Sequence, residues 1–246
     1  MTKSLVIIPT YTEAENIAQM VQAVMALPEE LHLLVIDDNS ADGTALIVEN
    51  LIPQYSNRLF LTKREGKLGL GTAYIIGFKY ALANGYNYIL EMDADFSHDP
   101  ADLSRLLHTC KHHADVVIGS RYIKGGKVEN WPSNRIFISK GASIYVRLIT
   151  QMPVHDTTAG FVCYNRKVLE SIDLDKITFI GYAFQIEMKF AAWRCGFKLR
   201  EIPITFKDRE KGTSKMSKGI VKEAVLGVLK MKWNSLFRKY SKNLRA

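Results

Sequence analysis

The sequence predicts an α/β fold in which a mostly parallel central sheet is flanked by helices. Apolar runs of strand length alternate along the 246 residues with segments whose apolar residues have the helical period. The apolar runs are continuous, as is typical of strands that are buried on both faces of a sheet. No repeat, linker or low-complexity segment interrupts this alternation, so one α/β domain is expected.

Five strands and four helices are predicted in the first half of the chain. The strands are short apolar runs at 4–9, 31–37, 58–63, 86–93 and 114–120. The helical patterns lie between them, at 13–27, 39–52, 64–85 and 100–113. Ser40 or Asp42 can cap the second helix, Gly85 ends the third, and Pro100 begins the fourth.

Cysteine usage and hydropathy indicate a cytoplasmic protein. The three cysteines, Cys110, Cys163 and Cys195, are far apart and form no CxxC pair, which favours reduced structural thiols. The N-terminal apolar run soon meets Pro9 and is predicted to be a strand rather than a signal peptide. No run of eighteen apolar residues occurs, so no transmembrane helix is expected.

The positive charge is concentrated near the C-terminus. The net charge is +8, and residues 207–246 contain twelve Lys and Arg against three Asp and Glu. A basic segment on a near-neutral body suggests an anionic partner, which could be a membrane surface, a phosphorylated substrate or a nucleic acid. A solvated basic helix is the alternative.

Carboxylates, an aromatic ring and an arginine stand at the ends of the predicted strands, at the edge of the sheet where ligands bind in such folds. The residues are Pro9, Tyr11 and Glu13 at the end of the first strand, Asp37 and Asp38 at the second, Asp93 and Asp95 at the fourth, and Arg121 at the fifth. Since the carboxyl ends of parallel strands meet at one edge, we expect these residues to form one site.

The spacing of Asp93 and Asp95 indicates a divalent metal site. Two carboxylates that share an edge repel each other unless a cation lies near them. Mg²⁺ or Mn²⁺ accepts such oxygens and keeps positions open for phosphate oxygens. The chain has no GxxxxGK[ST] loop, and no GxGxxG follows the first strand. We therefore expect the metal to hold the diphosphate of a nucleotide sugar. Ser97 and His98 are candidates for a further ligand, although a supporting or structural role is the first expectation for His98.

Seven segments carry a resemblance to a known family. They are "VIIPTYTEAENI", "LLVIDDNSADGT", "GKLGLGTAYIIGFKYAL", "EMDADFSHDP", "DVVIGSRY", "DTTAGFVCYNR" and "GYAFQIEM" with "FKDREKGTSKMS". In this order they resemble the dolichol-phosphate (polyprenol-phosphate) mannose synthases, inverting glycosyltransferases of family 2, over residues 4 to about 220. The resemblance implies a GT-A nucleotide-binding sandwich with a mixed sheet. It also implies transfer of mannose from GDP-mannose to a polyprenyl or dolichyl phosphate.

The resemblance also implies roles for individual residues. Pro9, Tyr11, Glu13 and Asp38 would hold the nucleoside, and Asp93 and Asp95 would bind the metal and the diphosphate. Asp156 lies at the position of an active-site aspartate. Some members have Gln where this chain has Ser97, so the resemblance does not assign a third protein ligand for the metal. The cations expected around the donor and acceptor phosphates are Arg121, Arg135, Arg209 and Lys215.

A phosphate acceptor fits these cations. A phosphate monoester is already an anion near neutral pH, so its attack needs positioning and charge neutralisation more than a base. Asp156 would then orient an arginine or a sugar hydroxyl. A family 2 enzyme that uses UDP-glucose or a hydroxyl acceptor is the alternative. A non-catalytic nucleotide-sugar-binding subunit would be expected to lack an aspartate or the cations, and the acidic edge argues against a nucleic-acid partner.

A basic amphipathic tail, 219–246, is expected after the catalytic domain, 1–218. Apolar residues recur in it at helical spacing, at Val225, Leu229, Trp233, Leu236 and Tyr240. Such a helix suits the surface of an anionic leaflet, and packing on the core or on a partner subunit is the alternative. Residues 133–150 are a second candidate for interfacial contact. The enzyme is therefore expected on the cytosolic face of a membrane, bound peripherally or through a membrane-spanning partner.

Overall fold

The computed structural model describes residues 3–181, 183–208, 220–237 and 240–241, with the backbone alone for 220–225. Nine strands lie in these ranges. They are β1 (Ser4–Thr10), β2 (Leu31–Asp37), β3 (Leu59–Lys63), β4 (Tyr88–Glu91), β5 (Val116–Ser120), β6 (Lys127–Glu129), β7 (Val162–Asn165), β8 (Leu199–Pro203) and β9 (Thr205–Lys207). The central sheet has the order β3-β2-β1-β4-β7-β5-β8, and β6 pairs with β9 in a small second sheet.

Helices cover both faces of the central sheet. They are α1 (Ile17–Met25), α2 (Thr44–Leu51), α3 (Leu70–Ala83), α4 (Asp102–His112), α5 (Ser133–Thr150), α6 (Arg166–Ser171), α7 (Ala183–Arg194) and α8 (Ile220–Asn234). Successive residues of β1 point to opposite cores. Leu5 and Ile7 pack on the side of α3 and α7, whereas Val6 and Ile8 pack on the side of α1 and α4.

The predicted fold class is confirmed, with one strand running against the others. β1 to β4 pair in parallel, and so do β5 and β8. β7 lies between β4 and β5 and is antiparallel to both. The run "VCYN" is as apolar as its neighbours, and an apolar run carries no information about its direction in the sheet. The sheet is therefore mixed.

The residues just before α2 and α3 explain where these two helices begin. The Asp42 carboxylate accepts hydrogen bonds from the Thr44 backbone N–H (3.1 Å) and hydroxyl (2.6 Å). The N-cap of α2 is Gly43, in the left-handed region, so the prediction that Ser40 or Asp42 caps this helix was wrong. Asp42 binds the first helical residue from the position before the cap. Gly69 precedes α3 with a φ of +101°. Gly85, which was predicted to end α3, also has a positive φ, two residues beyond the helix.

The described part of the predicted tail packs on the body of the protein. Val228 and Met231 of α8 are buried in the core on the α7 side of the sheet. Tyr240 is also buried, against Phe190. The helical spacing in the sequence predicted it on the same face as Trp233, which is exposed. The reason is that α8 ends at Asn234, so the helical spacing does not extend to residue 240. Among the described helices, none has the length and apolar content needed to cross a membrane.

Candidate active site

The loops that follow β1 and β2 are joined by hydrogen bonds between backbone N–H groups and side chains. These bonds run from Thr12 N to Ser40 Oγ (2.9 Å), from Glu13 N to Thr44 Oγ1 (3.0 Å) and from Ala14 N to Asp42 Oδ2 (3.0 Å). Thr12 has a φ of +56°, which is rare for a β-branched residue and is found mostly at functional sites. The two loops therefore form one wall at the carboxyl edge of the sheet.

Asp37 and Asp38 are held in different ways. Asp37 is buried and accepts hydrogen bonds from Thr10 and Ser40, so it stabilises the loops. Asp38 forms a two-pronged pair with Arg64, with nitrogen–oxygen distances of 2.6 Å. Burial raises the pKa of Asp38, and the hydrogen bond and charge of Arg64 act against that rise. Any ligand that reaches Asp38 therefore meets an ion pair.

The loop after β3 adds cations that the sequence did not single out. Arg64 directly follows β3, and Lys67 lies farther along the same loop. The ammonium of Lys67 is 4.9 Å from the centroid of the Tyr11 ring, within the range of a cation–π contact. Pro9 and Tyr11 are half-buried beside this loop. The nucleoside-binding role of Pro9, Tyr11 and Glu13 stays a prediction.

The acidic pair lies just beyond the end of β4. Asp95 is buried and its Oδ1 accepts a hydrogen bond from Ser97 N at 3.0 Å. The Asp93 side chain is 40% exposed. Directly after Asp95 the chain turns sharply, since Phe96 has a φ of +59°. One carboxylate is thus fixed in the loop and the other faces the open side of the site.

His98 is buried beneath the loop that carries Asp93 and Asp95 and contacts its backbone. Its ring stacks on Phe161 at 4.7 Å, and its Nδ1 lies 3.5 Å from the Asp93 backbone N–H, which donates to it. Burial lowers the pKa of His98 to about 4, although the charge of Asp95 opposes the shift. The neutral ring therefore has a structural role, as predicted.

The donor atoms fit a Mg²⁺ or Mn²⁺ ion that is shared with a ligand. Asp93 and Asp95 offer carboxylate oxygens, which are the ligands that both ions accept. In the part of the chain that the structure describes, no group of three or more His, Cys, Asp or Glu side chains could hold a metal. Two carboxylates leave further positions for water and phosphate oxygens. This is an arrangement suited to an ion that arrives with a diphosphate.

Arg121 and Asp156 form a buried ion pair with several hydrogen bonds. The Arg121 Nε donates to Asp156 Oδ2 at 2.7 Å and an Nη donates to Oδ1 at 2.6 Å. The Arg121 backbone N–H also donates to Oδ2, at 2.9 Å. Burial alone would lower the pKa of Arg121, but Asp156 raises it above its ordinary value. The guanidinium is therefore permanently charged and fixed in orientation.

Asp156 is held in turn by Glu201, a residue that the sequence did not indicate. The Asp156 backbone N–H donates to Glu201 Oε1 at 2.9 Å, and that of His155 donates to Oε2 at 2.8 Å. Glu201 lies on β8, so it fixes the loop to the sheet. The sequence around Glu201 gave no sign of this role, because its partner Asp156 lies 45 residues away along the chain.

Aromatic rings surround the guanidinium of Arg121. Its central carbon lies 5.0 Å from the ring centroid of Tyr122, 5.6 Å from that of Trp131 and 5.4 Å from that of Phe206. Rings of this kind exclude water and strengthen the interaction of the cation with an anion. None of the three was predicted as part of the site.

Arg135 lies beside this aromatic cluster at the start of α5. It stacks on Trp131 at 3.9 Å, and one Nη lies 3.2 Å from both carboxylate oxygens of Asp208. A second cation thus lies near Arg121, and its role at a phosphate stays a prediction. Arg209 and Lys215, the other two predicted cations, lie outside the described residues.

The structure brings the acidic pair and the Arg121–Asp156 pair into one site. Charges on Asp95, Arg121 and Asp156 all act on the buried ring of His98. A cavity of about 730 Å³ opens beside Asp95. It is lined by polar residues that include Asn16, Gln19, Asp99, Asp102, Arg105, Lys207 and Asp208. The carboxylates of the acidic pair and the charged Arg121–Asp156 pair therefore lie within electrostatic range of one another.

The sequence of this chain is similar to a known family and to characterised members of it. The profile of "Glycosyl transferase family 2" matches residues 5–173. Polyprenol monophosphomannose synthase of Mycolicibacterium smegmatis is 46% identical over 226 residues, or 92% of this chain and 85% of the relative. Undecaprenyl-phosphate mannosyltransferase of Micrococcus luteus is 43% identical over 236 residues, or 94% of this chain and 96% of the relative.

Solved structures show the same fold at low identity. Glucosyl-3-phosphoglycerate synthase from Mycobacterium tuberculosis, in complex with phosphoglyceric acid, has a TM-score of 0.70 and 14% identity. The alignment covers 94% of this chain and 80% of that one. The same protein in complex with Mn²⁺, uridine diphosphate and glucosyl-3-phosphoglycerate has a TM-score of 0.66, also at 14% identity and with the same coverage.

Proposed function

Because the chain belongs to glycosyl transferase family 2, we propose that it transfers mannose from GDP-mannose to a polyprenyl phosphate with inversion at the anomeric carbon. The chain is a glycosyltransferase with the GT-A fold. Both curated relatives are named for mannose transfer to a polyprenyl carrier. The observation that carries the proposal is the buried Arg121–Asp156 pair next to the carboxylates of Asp93 and Asp95.

In this proposal the metal site serves the diphosphate leaving group of the donor. Asp93 and Asp95 would hold Mg²⁺ or Mn²⁺, and the ion would supply positive charge for the diphosphate leaving group. A structural neighbour of the same fold is seen with Mn²⁺ and uridine diphosphate, which supports a divalent ion. Asp95 is pre-oriented by the Ser97 N–H, so little ordering is needed when the ion and the donor arrive.

The donor lies against the loops after β1, β2 and β3. Tyr11 presents its ring, and the Asp38–Arg64 pair fixes the floor of this region. Lys67, which stands over Tyr11, is close to where the diphosphate of a nucleotide bound there would extend. Hydrogen bonds between the loops keep the pocket formed before the donor binds.

The acceptor needs cations rather than a base. Its phosphate has a second pKa near about 6 and is ionised at neutral pH. Arg121 is aimed by Asp156, and Arg135 is aimed by its stacking on Trp131. Arg is suited to two-pronged recognition of phosphate. Asp156 is occupied by Arg121 and accepts no proton in this mechanism.

The acceptor also fixes where the enzyme works. A polyprenyl chain is embedded in a bilayer, so its phosphate lies at the membrane surface. We propose that the enzyme acts at the cytosolic face of a membrane, bound peripherally or through a membrane-spanning subunit. The basic residues of 207–246 support a position next to anionic lipid.

Transfer of radiolabelled hexose into an organic phase tests the donor and the acceptor. Purified protein receives GDP-mannose or UDP-glucose with Mg²⁺, and either a short polyprenyl phosphate or the corresponding polyprenol. The proposal predicts lipid label only from GDP-mannose and only with the phosphate. Label on the polyprenol would establish a hydroxyl acceptor, and label from UDP-glucose alone would overturn the assignment of the donor.

A further inference from the structure

One side of α5 exposes large apolar side chains to solvent. Phe137 is 79% exposed and Leu148 is 74% exposed, and Ile138 and Ile144 are exposed with them. The opposite side of α5 buries Ser143, Val146 and Thr150. A helix that exposes four large apolar residues beside a buried face has a second apolar surface that the fold itself does not cover.

α8 is also apolar on two sides. Its inner side buries Val228 and Met231 in the core. On its outer side Trp233 is 66% exposed, together with Leu226 and Leu229, and Phe237 in the following turn is 79% exposed. Trp233 and Phe237 lie against each other, with ring centroids 6.1 Å apart. The helix therefore packs on the core and leaves an apolar face outside.

The two exposed faces are neighbours. α5 and α8 pack on each other, and Lys232 Nζ of α8 approaches the carbonyl oxygen of Thr150 at 3.5 Å. We call the combined surface the α5–α8 face. It comprises Phe137, Ile138, Ile144, Leu148, Leu226, Leu229, Trp233, Leu236 and Phe237.

The charged side chains of the two helix segments that carry this face are positive. Residues 133–151 and 226–237 contain no Asp or Glu, and Glu223 lies earlier in α8, where the structure describes the backbone alone. Lys140 and Lys230 are exposed, and Arg147 and Lys232 are partly exposed. Arg147 also lines an apolar recess of about 360 Å³ at the end of α5. Exposed apolar and aromatic side chains with only basic neighbours fit the surface of an anionic bilayer.

The face begins at the catalytic site. Arg135, in the first turn of α5, stacks on Trp131 of the cluster around Arg121. One turn later, Ser139 accepts a hydrogen bond from Tyr122 at 2.7 Å. An 18-residue helix is roughly 27 Å long. The apolar face therefore runs outward from the cations proposed for the acceptor phosphate.

We propose that the α5–α8 face docks the enzyme on a bilayer that contains anionic phospholipid. This inference rests on the proposed function, because a polyprenyl phosphate presents its phosphate at that surface. The apolar side chains enter the headgroup region, and the lysines and Arg147 contact lipid phosphates. Docking in this orientation brings Arg121 and Arg135 to the height of the acceptor phosphate.

Vesicle co-sedimentation of the full chain tests the docking surface without donor or acceptor. Vesicles contain phosphatidylcholine, with or without phosphatidylglycerol. We expect binding to the anionic vesicles, and the triple variant Leu148→Ser/Trp233→Ser/Phe237→Ser should weaken it by about a hundredfold. The charge variant Lys140→Glu/Lys230→Glu should weaken it roughly tenfold or more. Leu46→Ser, an equally exposed apolar residue of α2, is the matched control and should bind like the wild type.

A second readout separates docking from folding and from catalysis. Trp233 fluorescence should shift to shorter wavelength with anionic vesicles, and Trp233→Phe should abolish that shift while Trp131 and Trp193 remain. Transfer to a short, water-soluble prenyl phosphate should be the same for the triple variant and the wild type, because this acceptor does not require docking. Absence of this transfer in the wild type would count against the proposed function and not against the docking surface. No binding by the wild type, or full binding by the triple variant, would overturn the docking proposal. In the first case a protein partner or a second copy would be the occupant.

Discussion

At the scale of single residues, two buried ion pairs organise the site. Arg64 is paired with Asp38, and Arg121 is paired with Asp156. Removing one partner of a buried pair leaves an uncompensated charge, at a cost of about 3–5 kcal/mol. Both arginines are therefore held where they are before any ligand binds. The second pair faces the proposed acceptor phosphate, so its geometry should determine acceptor binding.

Asp156→Asn tests whether Asp156 positions Arg121 or acts as a base. The amide keeps one acceptor oxygen instead of two and places its own NH₂ against an Arg121 nitrogen that the carboxylate accepted from. We expect transfer to fall on the order of a hundredfold, with a raised KM for the acceptor. Thr158→Val, which removes a single hydrogen bond to Arg121, should have a smaller effect of the same kind. A lost chemical step with unchanged binding of both substrates would make Asp156 a base.

Asp42→Ala tests the link between the first two loops. It removes the hydrogen bonds from Thr44 and from Ala14 N, so we expect a loss of about 1 kcal/mol in the free energy of unfolding at pH 7. Burial would raise the pKa of Asp42, but hydrogen bonds from Thr44 and Ala14 lower it below 3.8. The stabilisation is therefore present above that value and is lost as the pH falls through the lowered pKa.

Urea unfolding at several pH values gives the measurement for Asp42→Ala. The difference from the wild type should shrink as the pH falls below about 4. Glu15→Ala, an exposed acidic residue of the neighbouring loop, should show no such difference. A difference for Asp42→Ala that does not change between neutral and acid pH would contradict the assignment.

At the scale of elements, the strand ends decide where the chemistry lies. β1, β2 and β4 run in parallel and end at one edge, so residues distant in sequence share one site. The segment after β5 completes it, because Gly126 packs directly on the backbone of Ser120 and Arg121. A Cβ at Gly126 would lie 2.6 Å from the Ser120 carbonyl oxygen and 2.7 Å from that of Arg121.

Gly126→Ala should therefore disturb the site through the backbone. We expect a loss of about 1–3 kcal/mol in the free energy of unfolding and a raised KM for the acceptor, since Arg121 must shift. Gly141→Ala in α5 is the matched control, because nothing lies within 4 Å of the added Cβ. There we expect stabilisation of up to about 1 kcal/mol. Equal stability of Gly126→Ala and the wild type would show that this contact is not tight.

The elements also show which features a sequence can reveal. Continuous apolar runs predicted β1 to β5 because strands buried on both faces need such runs. The direction of β7 depends on which neighbours it meets, and its own residues do not encode that. Asp93 and Asp95 stood out because they end an apolar run. Glu201 and Arg64 did not, since their roles depend on partners that only the tertiary structure brings near.

At the scale of the whole molecule, the Arg121–Asp156 pair connects the acidic pair with the proposed membrane surface. The charge of Asp93 acts on Arg121, and Trp131 contacts both Arg121 and Arg135 at the start of α5. The tail was predicted to bind lipid or to pack on the core. α8 packs on the core through Val228 and Met231 and exposes Trp233. A helical spacing alone does not distinguish these cases, because both faces of α8 are apolar.

The most direct test of the account is metal-dependent transfer by a pair of matched variants. Asp95→Asn keeps an oxygen for the Ser97 N–H but loses the carboxylate proposed to bind the metal. Asp99→Asn, four residues on, likewise keeps an oxygen for the Ala101 N–H. Transfer of mannose from GDP-mannose to a short polyprenyl phosphate is measured for both across a Mg²⁺ and Mn²⁺ titration.

The account predicts that a chelator abolishes transfer by the wild type and that added Mg²⁺ or Mn²⁺ restores it. Asp99→Asn should behave in the same way. Asp95→Asn should lose transfer by on the order of a hundredfold or more, with the fold intact by circular dichroism. Transfer that survives the chelator, or an Asp95→Asn variant as active as Asp99→Asn, would contradict the central claim that these carboxylates hold the metal of a glycosyl transfer.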